Sequence, residues 1–396
     1  MSEVKVNKLS PRSGTTVTIG DNGDTINIVG TLQNNGSELT GDISSVVAGT
    51  GLSGGGTSGD VTLNVDLISK QGGTDFSSSL LVGTSGTGTL SAASRNTGVG
   101  TQVFGALTSG DNNTAIGYLS LVSNTSAANN TAVGCCALAT TTTGARNTAV
   151  GSSALEKNAA ACNTAMGFAA LQNTTSGYHN TGIGVFSGVT NTTGHDNTSL
   201  GLCSLHANTT GDHNVAIGVC ALDSNTTAGC NVAVGRIALT TNTTGANNTA
   251  IGASALQQNT TASSNVAVGK STLADNTTGA NNTAVGCGSL LVNTTGADNT
   301  ALGSGALDAN TTASNNTAVG YVALSLNTTG TNLVAVGAGA LDANTTADNN
   351  TAVGKTSLGG NTTGASNTAV GSSALAVNTT GALNGAFGFS ALLSNT

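Results

Sequence analysis

The chain has 396 residues, of which 57 are Gly, one is Pro (Pro11) and none is Trp; aromatics make up 2% and charged residues 7%. About a quarter charged is usual for a globular domain, so ordinary compact domains with bulky cores are excluded. What remains is Ala, Val, Ile and Leu, which can fill a thin core many layers long. The formal net charge of −8 comes without the basic stripe that nucleic-acid binding requires, and no nucleic-acid partner is expected.

The N-terminus, MSEVKVNKLSPRSG, has no apolar run of the secretory kind. No stretch approaches the eighteen apolar residues of a membrane-spanning helix, so membrane insertion is not expected. Release by a route such as lysis is the expectation for any extracellular role. Residues 1–66 read as a β-rich N-terminal region. Within it, Thr15 to Val29 alternates around a DNG turn and predicts a hairpin. The Gly-rich centre of Val46 to Asp66 is followed by no Lys-Ser/Thr and no helical pattern, so it reads as a loop between short strands and not as a phosphate cradle. Residues 67–95, rich in Ser, Gly and Thr, read as a connector.

From residue 96 to 396 one pattern recurs. A Gly ends a short apolar run at Gly100, Gly117, Gly134, Gly151, Gly167, Gly184, Gly201, Gly218 and Gly235, and again at Gly252, Gly269, Gly286, Gly303, Gly320, Gly337, Gly354, Gly371 and Gly388. Every step is 17 residues except Gly151 to Gly167, which is 16. The consensus is N-T-A-V-G-x-x-A-L-x-x-N-T-T-G-A-x, numbered here from position 1 to 17. A fixed register of this kind excludes a disordered polar tract, which has no reason to keep one.

Position 5 is Gly in every copy, which predicts φ > 0 or a backbone approach too close for a Cβ. Positions 1 to 5 read as a short strand, with β-branched residues on one face and Ala on the other. The x-A-L-x-x stretch reads as a second strand and NTTG as the returning turn. Runs of four or five residues between such punctuation are too short for helices. The expected fold is therefore all-β, a parallel β-solenoid of about eighteen coils. Position 4 (Ile116, Val150, Leu200) and position 9 (Leu121, Leu155, Leu256) are expected to build its core. Asn at position 1 (Asn113, Asn147, Asn214, Asn282) and position 12 (Asn225, Asn276, Asn344) is expected to form two hydrogen-bonded columns, as Asn ladders do in cross-β stacks. The Ala face then needs a partner surface, and three rods packed Ala to Ala would supply it, giving a homotrimer.

Two resemblances attach to these residues. The N-[T/S]-A-[V/I]-G strand followed by an Ala-rich stretch resembles the head repeats of trimeric autotransporter adhesins, which implies a left-handed β-roll. The segments KVNKLSPRSGTTVTIGDNGDTINI, AGTGLSGGGTSGDVTLNVD and SLLVGTSGTGTLSAASRNTGVG, in that order, resemble tail-fibre proteins of marine bacteriophages, including those of cyanobacteria. That resemblance implies a virion fibre: the N-terminal region attaches to tail or baseplate proteins and the repeats project toward a host surface receptor. A cell-surface adhesin or extracellular filament is the alternative.

No catalytic, cofactor or metal site is expected. His179, His195, His206 and His213 fall in or near turns, with no fixed Ser or Asp partner from copy to copy. Seven Cys is an odd number with no CxxC, so neither a disulfide framework nor a zinc site is expected. The grammar of hexapeptide acyltransferases and of calcium-binding nonapeptide rolls is absent. Thr at positions 13 and 14 is adjacent and does not build one flat ice-binding face. Asn-Thr-Thr sequons such as Asn225-Thr226-Thr227 matter only in a secretory pathway. Phe387 and Phe389 in the last repeat read as an end plug or an adhesive tip.

Overall fold

The computed structural model of the chain describes residues 74–83 and 87–395, together with six short strands between residues 33 and 71. The chain forms two units, Met1–Leu67 and Ile68–Thr396. In the first, β1 (Gln33–Asn34) and β2 (Ser37–Glu38) form an antiparallel pair, and β3 (Val46–Val47), β4 (Leu52–Gly56) and β5 (Leu63–Val65) form an antiparallel meander. The Gly-rich centre expected as a loop is thus strand β4, paired on both edges. The hairpin expected over Thr15 to Val29 lies outside the described residues.

The second unit is a parallel β-solenoid. Strand β6 (Ile68–Gln71) pairs antiparallel with β7 (Leu80–Val82), and β7 pairs parallel with β8 (Thr97–Val99). The same pairing continues through β9 (Thr114–Ile116) and on to the last strand, Gly385–Phe387. The first coil therefore begins at Leu80, inside the stretch that reads as a connector. Its Gly83, at φ 118°, already occupies position 5. Each strand is three residues long and faces its equivalent one coil away, Thr131 against Thr148 for example. At about 4.8 Å per coil, the stack is a rod roughly 85 Å long.

The single 16-residue step leaves this register intact, with Val150 opposite Met166. The missing residue falls in the turn. In other coils the position 1 amide reaches a carbonyl 14 residues on, as Asn113 Nδ2 reaches Ala127 O at 2.9 Å. In the short coil Asn147 Nδ2 reaches Ala160 O, 13 residues on, at the same distance.

Two expectations about the coil are overturned. Positions 6 to 11 are a chain of turns and not a second strand. Positions 7 and 9 are left-handed, as at Leu119 (φ 58°) and Leu121 (φ 50°). The reason is packing. An extended strand sends consecutive side chains to opposite faces, yet Ala137 at position 8 and Leu138 at position 9 are both fully buried. Alternating left-handed residues turn both inward while keeping hydrogen bonds to the coils on either side: Cys136 N donates to Tyr118 O at 2.9 Å and Leu121 N to Ala137 O at 3.1 Å.

The second correction concerns which face of the strand is inside. Ala at position 3 is sealed in the core, as at Ala115, Ala132 and Ala250, whereas position 4 points outward. A 17-residue coil that already encloses Leu at position 9 has room opposite it for a methyl group and no more. The core is a column of Leu against two columns of Ala. The Ala face is consumed within the chain, so it supplies no contact between chains.

Candidate functional site

Position 5 needs Gly for both of the expected reasons. At Gly218 φ is 131°, and a Cβ there would lie 2.6 Å from the carbonyl oxygen of Gly235 in the next coil. The Asn columns line the interior and differ in wiring. At position 1 the side-chain oxygen caps the next coil's backbone, Asn130 N donating to Asn113 Oδ1 at 3.0 Å. At position 12 the side chains bond one another, Asn225 Nδ2 donating to Asn208 Oδ1 at 2.9 Å and Asn276 Nδ2 to Asn259 Oδ1 at 2.9 Å. Asn147, Asn214, Asn282 and Asn344 sit in the same two buried columns. The sequon Asn225 is fully buried, so its amide is closed to glycosylation in the folded coil. The Thr hydroxyls at position 13 are likewise committed along the rod, Thr226 Oγ1 donating to Thr243 O at 3.1 Å.

The outer face of the strand ladder is the first surface with functional character. Position 2 is Thr or Val and position 4 is Val, Ile, Leu or Met through most of the rod, with Ile116 41% and Met166 48% exposed. Side chains at positions 2 and 4 share one face because they are two residues apart in a strand. Mid-rod the apolar surface widens to position 6, where Phe168, Val185, Leu202 and Val219 are exposed in four successive coils. Phe168 also packs edge-on against Phe186, with ring centroids 5.3 Å apart. Farther along, position 6 becomes Arg236 and Lys270. Phe387 and Phe389 stand out from the last coil at 73% and 82% exposure, so neither enters the core as a plug.

The same mid-rod coils interrupt the core. Gly188 replaces Leu at position 9, and Ser187 Oγ bonds Ser199 Oγ at 2.7 Å within the interior. Leu171 leans into the vacated space, coming within 2.8 Å of where a Cβ on Gly188 would be. Thr174 replaces Asn at position 12, and its buried hydroxyl has no hydrogen-bond partner.

On the outside of these coils, at positions 16 and 17, the histidines do have partners, against expectation. Three coils place Tyr178-His179, His195-Asp196 and Asp212-His213 one above another. His195 Nδ1 lies 2.9 Å from Asp196 Oδ2 and its Nε2 3.2 Å from Asp212 Oδ2. His179 Nδ1 lies 3.2 Å from the other oxygen of Asp196, and His213 Nε2 3.8 Å from Asp196 Oδ2. Tyr178 stacks on His195 at 4.8 Å between centroids and 5° between planes. Hydrogen bonding from His195, then from His179, holds the Asp196 carboxyl below its ordinary range. The 17-residue stacking that brings these residues together is visible in the sequence only when it is written in rows of one coil. His206 stands apart at position 10, 3.9 Å from Asp223.

All seven cysteines are free thiols. Cys136 is pushed up to about 11 by the Cys135 thiol beside it, 3.2 Å away, and by burial. Burial, and then the neighbouring charges, also raise Cys203 and Cys220, which stack at position 7. These shifts make them poor nucleophiles at neutral pH. A shallow hollow lined by Gln102, Gly105, Ala106 and Val122 carries no ionisable side chain. No helix among the described residues is long and apolar enough to cross a membrane. No protein-family profile, curated protein or solved structure matches the chain.

Proposed function

We propose that this protein is the shaft of a fibre, of the kind that projects from a bacteriophage tail, with the N-terminal region attaching to virion proteins and the solenoid carrying the outer end toward the host surface. The observation that carries the reading is the uninterrupted ladder of in-register parallel strands from β7 to the last coil. Such a stack sets a length and a direction. The order of the N-terminal segments resembling phage tail fibres supports the virion over a cell-surface adhesin.

A fibre of this kind is a homotrimer held through the outer strand face and not through Ala. The exposed side chains at position 4, joined mid-rod by Phe168, Val185, Leu202 and Val219 at position 6, form an apolar stripe along the rod, and monomeric proteins rarely expose contiguous apolar patches of more than a few hundred Å². A side-by-side copy of the same rod has the same coil spacing, so its ridges meet this one at every step. Met166, Phe168, Leu200 and Leu202 are the centre of the contact.

Light scattering on the purified chain tests this. The expected mass is three times the chain mass of 38.0 kDa, falling to one chain in Leu202→Lys with the β-sheet circular dichroism unchanged. A wild-type monomer at micromolar concentration contradicts the trimer. Labelling of intact virions with an antibody to the solenoid separates a tail appendage from a cell-bound adhesin.

A further inference from the structure

We propose that His195, Asp196 and His213 bind one divalent transition-metal ion of the zinc, nickel and copper class, clipping two neighbouring coils together. Nδ1 or Nε2 of the two imidazoles and one oxygen of the carboxylate all lie within 4.8 Å of one another. Zinc holds nitrogen and oxygen ligands at about 2.0–2.2 Å, which puts ligand atoms roughly 3.4 Å apart around a tetrahedral ion. The contacts from His195 Nδ1 (2.9 Å) and His213 Nε2 (3.8 Å) to Asp196 Oδ2 bracket that value. Small side-chain rotations close the site, and His213 and Asp196 are exposed enough to make them.

The surroundings match what a metal-binding histidine requires. Such a histidine donates its second ring N–H to a carboxylate, which fixes its tautomer and orientation. Asp212 does this for His195 while being anchored itself: its Oδ2 is 3.2 Å from Nε2, and its Oδ1 accepts the His195 backbone N–H at 2.8 Å. His195 thereby presents Nδ1 to the ion, and Tyr178 covers one face of its ring. The free oxygen of Asp196 is held by His179 at 3.2 Å. Two neutral imidazoles and one carboxylate suit borderline ions and not magnesium or calcium, which take oxygen ligands. Three protein ligands leave a fourth position for water.

The location gives the clip a purpose. His195 and Asp196 close the coil that has Gly188 in place of Leu, and His213 closes the next. The ion joins the two coils from outside where the leucine column is interrupted within.

The test is zinc chloride titrated into the chelator-stripped full-length protein against a chromophoric competitor. Variants are chosen from residues that fill the same positions in other coils: His195→Ala (Ala246, Ala280), Asp196→Asn and His213→Asn (Asn247, Asn281). These substitutions preserve the coil, and circular dichroism verifies it. The expected result is one zinc per chain, at least a 100-fold loss of affinity in each variant, a roughly 10- to 100-fold loss in Asp212→Asn, and no change in His206→Ala. Magnesium chloride should not compete. No saturable zinc uptake, retention of affinity in His195→Ala and His213→Asn, or an equal loss in His206→Ala overturns the proposal. So does zinc binding that disappears only when Cys162 and Cys230 are changed to Ser.

Discussion

Ala115 is sealed inside the coil, and Ile116, its neighbour in the chain, stands outside it with 41% of its surface exposed. That inverts the usual preference for bulky residues inside. The interior is filled once per coil by Leu, and the larger β-branched side chains are left to make a surface.

The inversion predicts opposite responses at adjacent residues. Ala250 is fully buried and Ile251 is 40% exposed. Ala250→Val inserts two methyl groups into a filled core and should cost about 1–3 kcal/mol. Ile251→Thr should stay within about 0.5 kcal/mol, as exposed substitutions do. Urea unfolding of both variants, under conditions that keep the chain dissociated, gives the comparison. The reverse order would return position 4 to the core.

The period, the Gly column and the two Asn columns were legible because each is an identity repeated at one spacing. The face was not. Alternation of Thr, Ala and Val shows that positions 2 and 4 share a side, and it does not show which side is inside. The answer lies with Leu138 and Ala137, both buried at adjacent positions, which no extended strand permits. Position 17 did carry a signal. It is Asn, Asp, His, Ser or Cys in most copies and left-handed in all, as at Asn247 (φ 58°) and Asp298 (φ 56°), the conformation that Asn and Asp tolerate best. The His–Asp cluster is hidden in the linear sequence because its pairs are one or seventeen residues apart, and only the stacking makes seventeen a contact.

The position 12 ladder predicts a cost that does not depend on volume alone. Asn259 Nδ2 donates to Asn242 Oδ1 at 2.8 Å and to Ala262 O at 3.0 Å, and Asn276 Nδ2 donates to its Oδ1 at 2.9 Å. Asn259→Ala leaves those buried groups short of partners, at about 1–3 kcal/mol for an unsatisfied group. A loss of roughly 3 kcal/mol is expected, with the hydrogen exchange of the neighbouring coils accelerating first. Protection unchanged at Thr260 and Thr277 would show that the ladder contributes little.

Two glycines with positive φ should behave differently. Gly218 has φ 131° and would place a Cβ 2.6 Å from the Gly235 carbonyl, whereas Gly288 has φ 65° and nothing within 4 Å. Gly218→Ala combines strain with collision and should cost about 3 kcal/mol or more. Gly288→Ala meets only the left-handed penalty, about 1 kcal/mol, at a position where other coils carry Ser or Cys. Thermal unfolding of the pair distinguishes them, and equal losses would mean that φ alone matters.

The aspartates at position 10 set a pH response. Burial raises Asp308 above its ordinary 3.8, partly offset by the backbone N–H groups of Ala309 and Asp308 itself. A raised folded-state value means the fold prefers the protonated acid. Its contribution is unfavourable at neutral pH and is relieved as pH falls through the raised value toward 3.8. Asp308→Asn should therefore be as stable as the wild type or slightly more so at pH 7, and the difference should shrink by pH 3. A deficit at pH 7 that closes on acidification would mean that the carboxylate is favoured by the fold.

A cryo-EM reconstruction of the purified protein tests the central claim most directly. The account predicts three parallel rods, each about 85 Å long with layers about 4.8 Å apart, whose shared interface is lined by the position 4 and position 6 side chains, Leu200 and Leu202 at its middle. Isolated rods, or rods joined through any face other than this one, would contradict it.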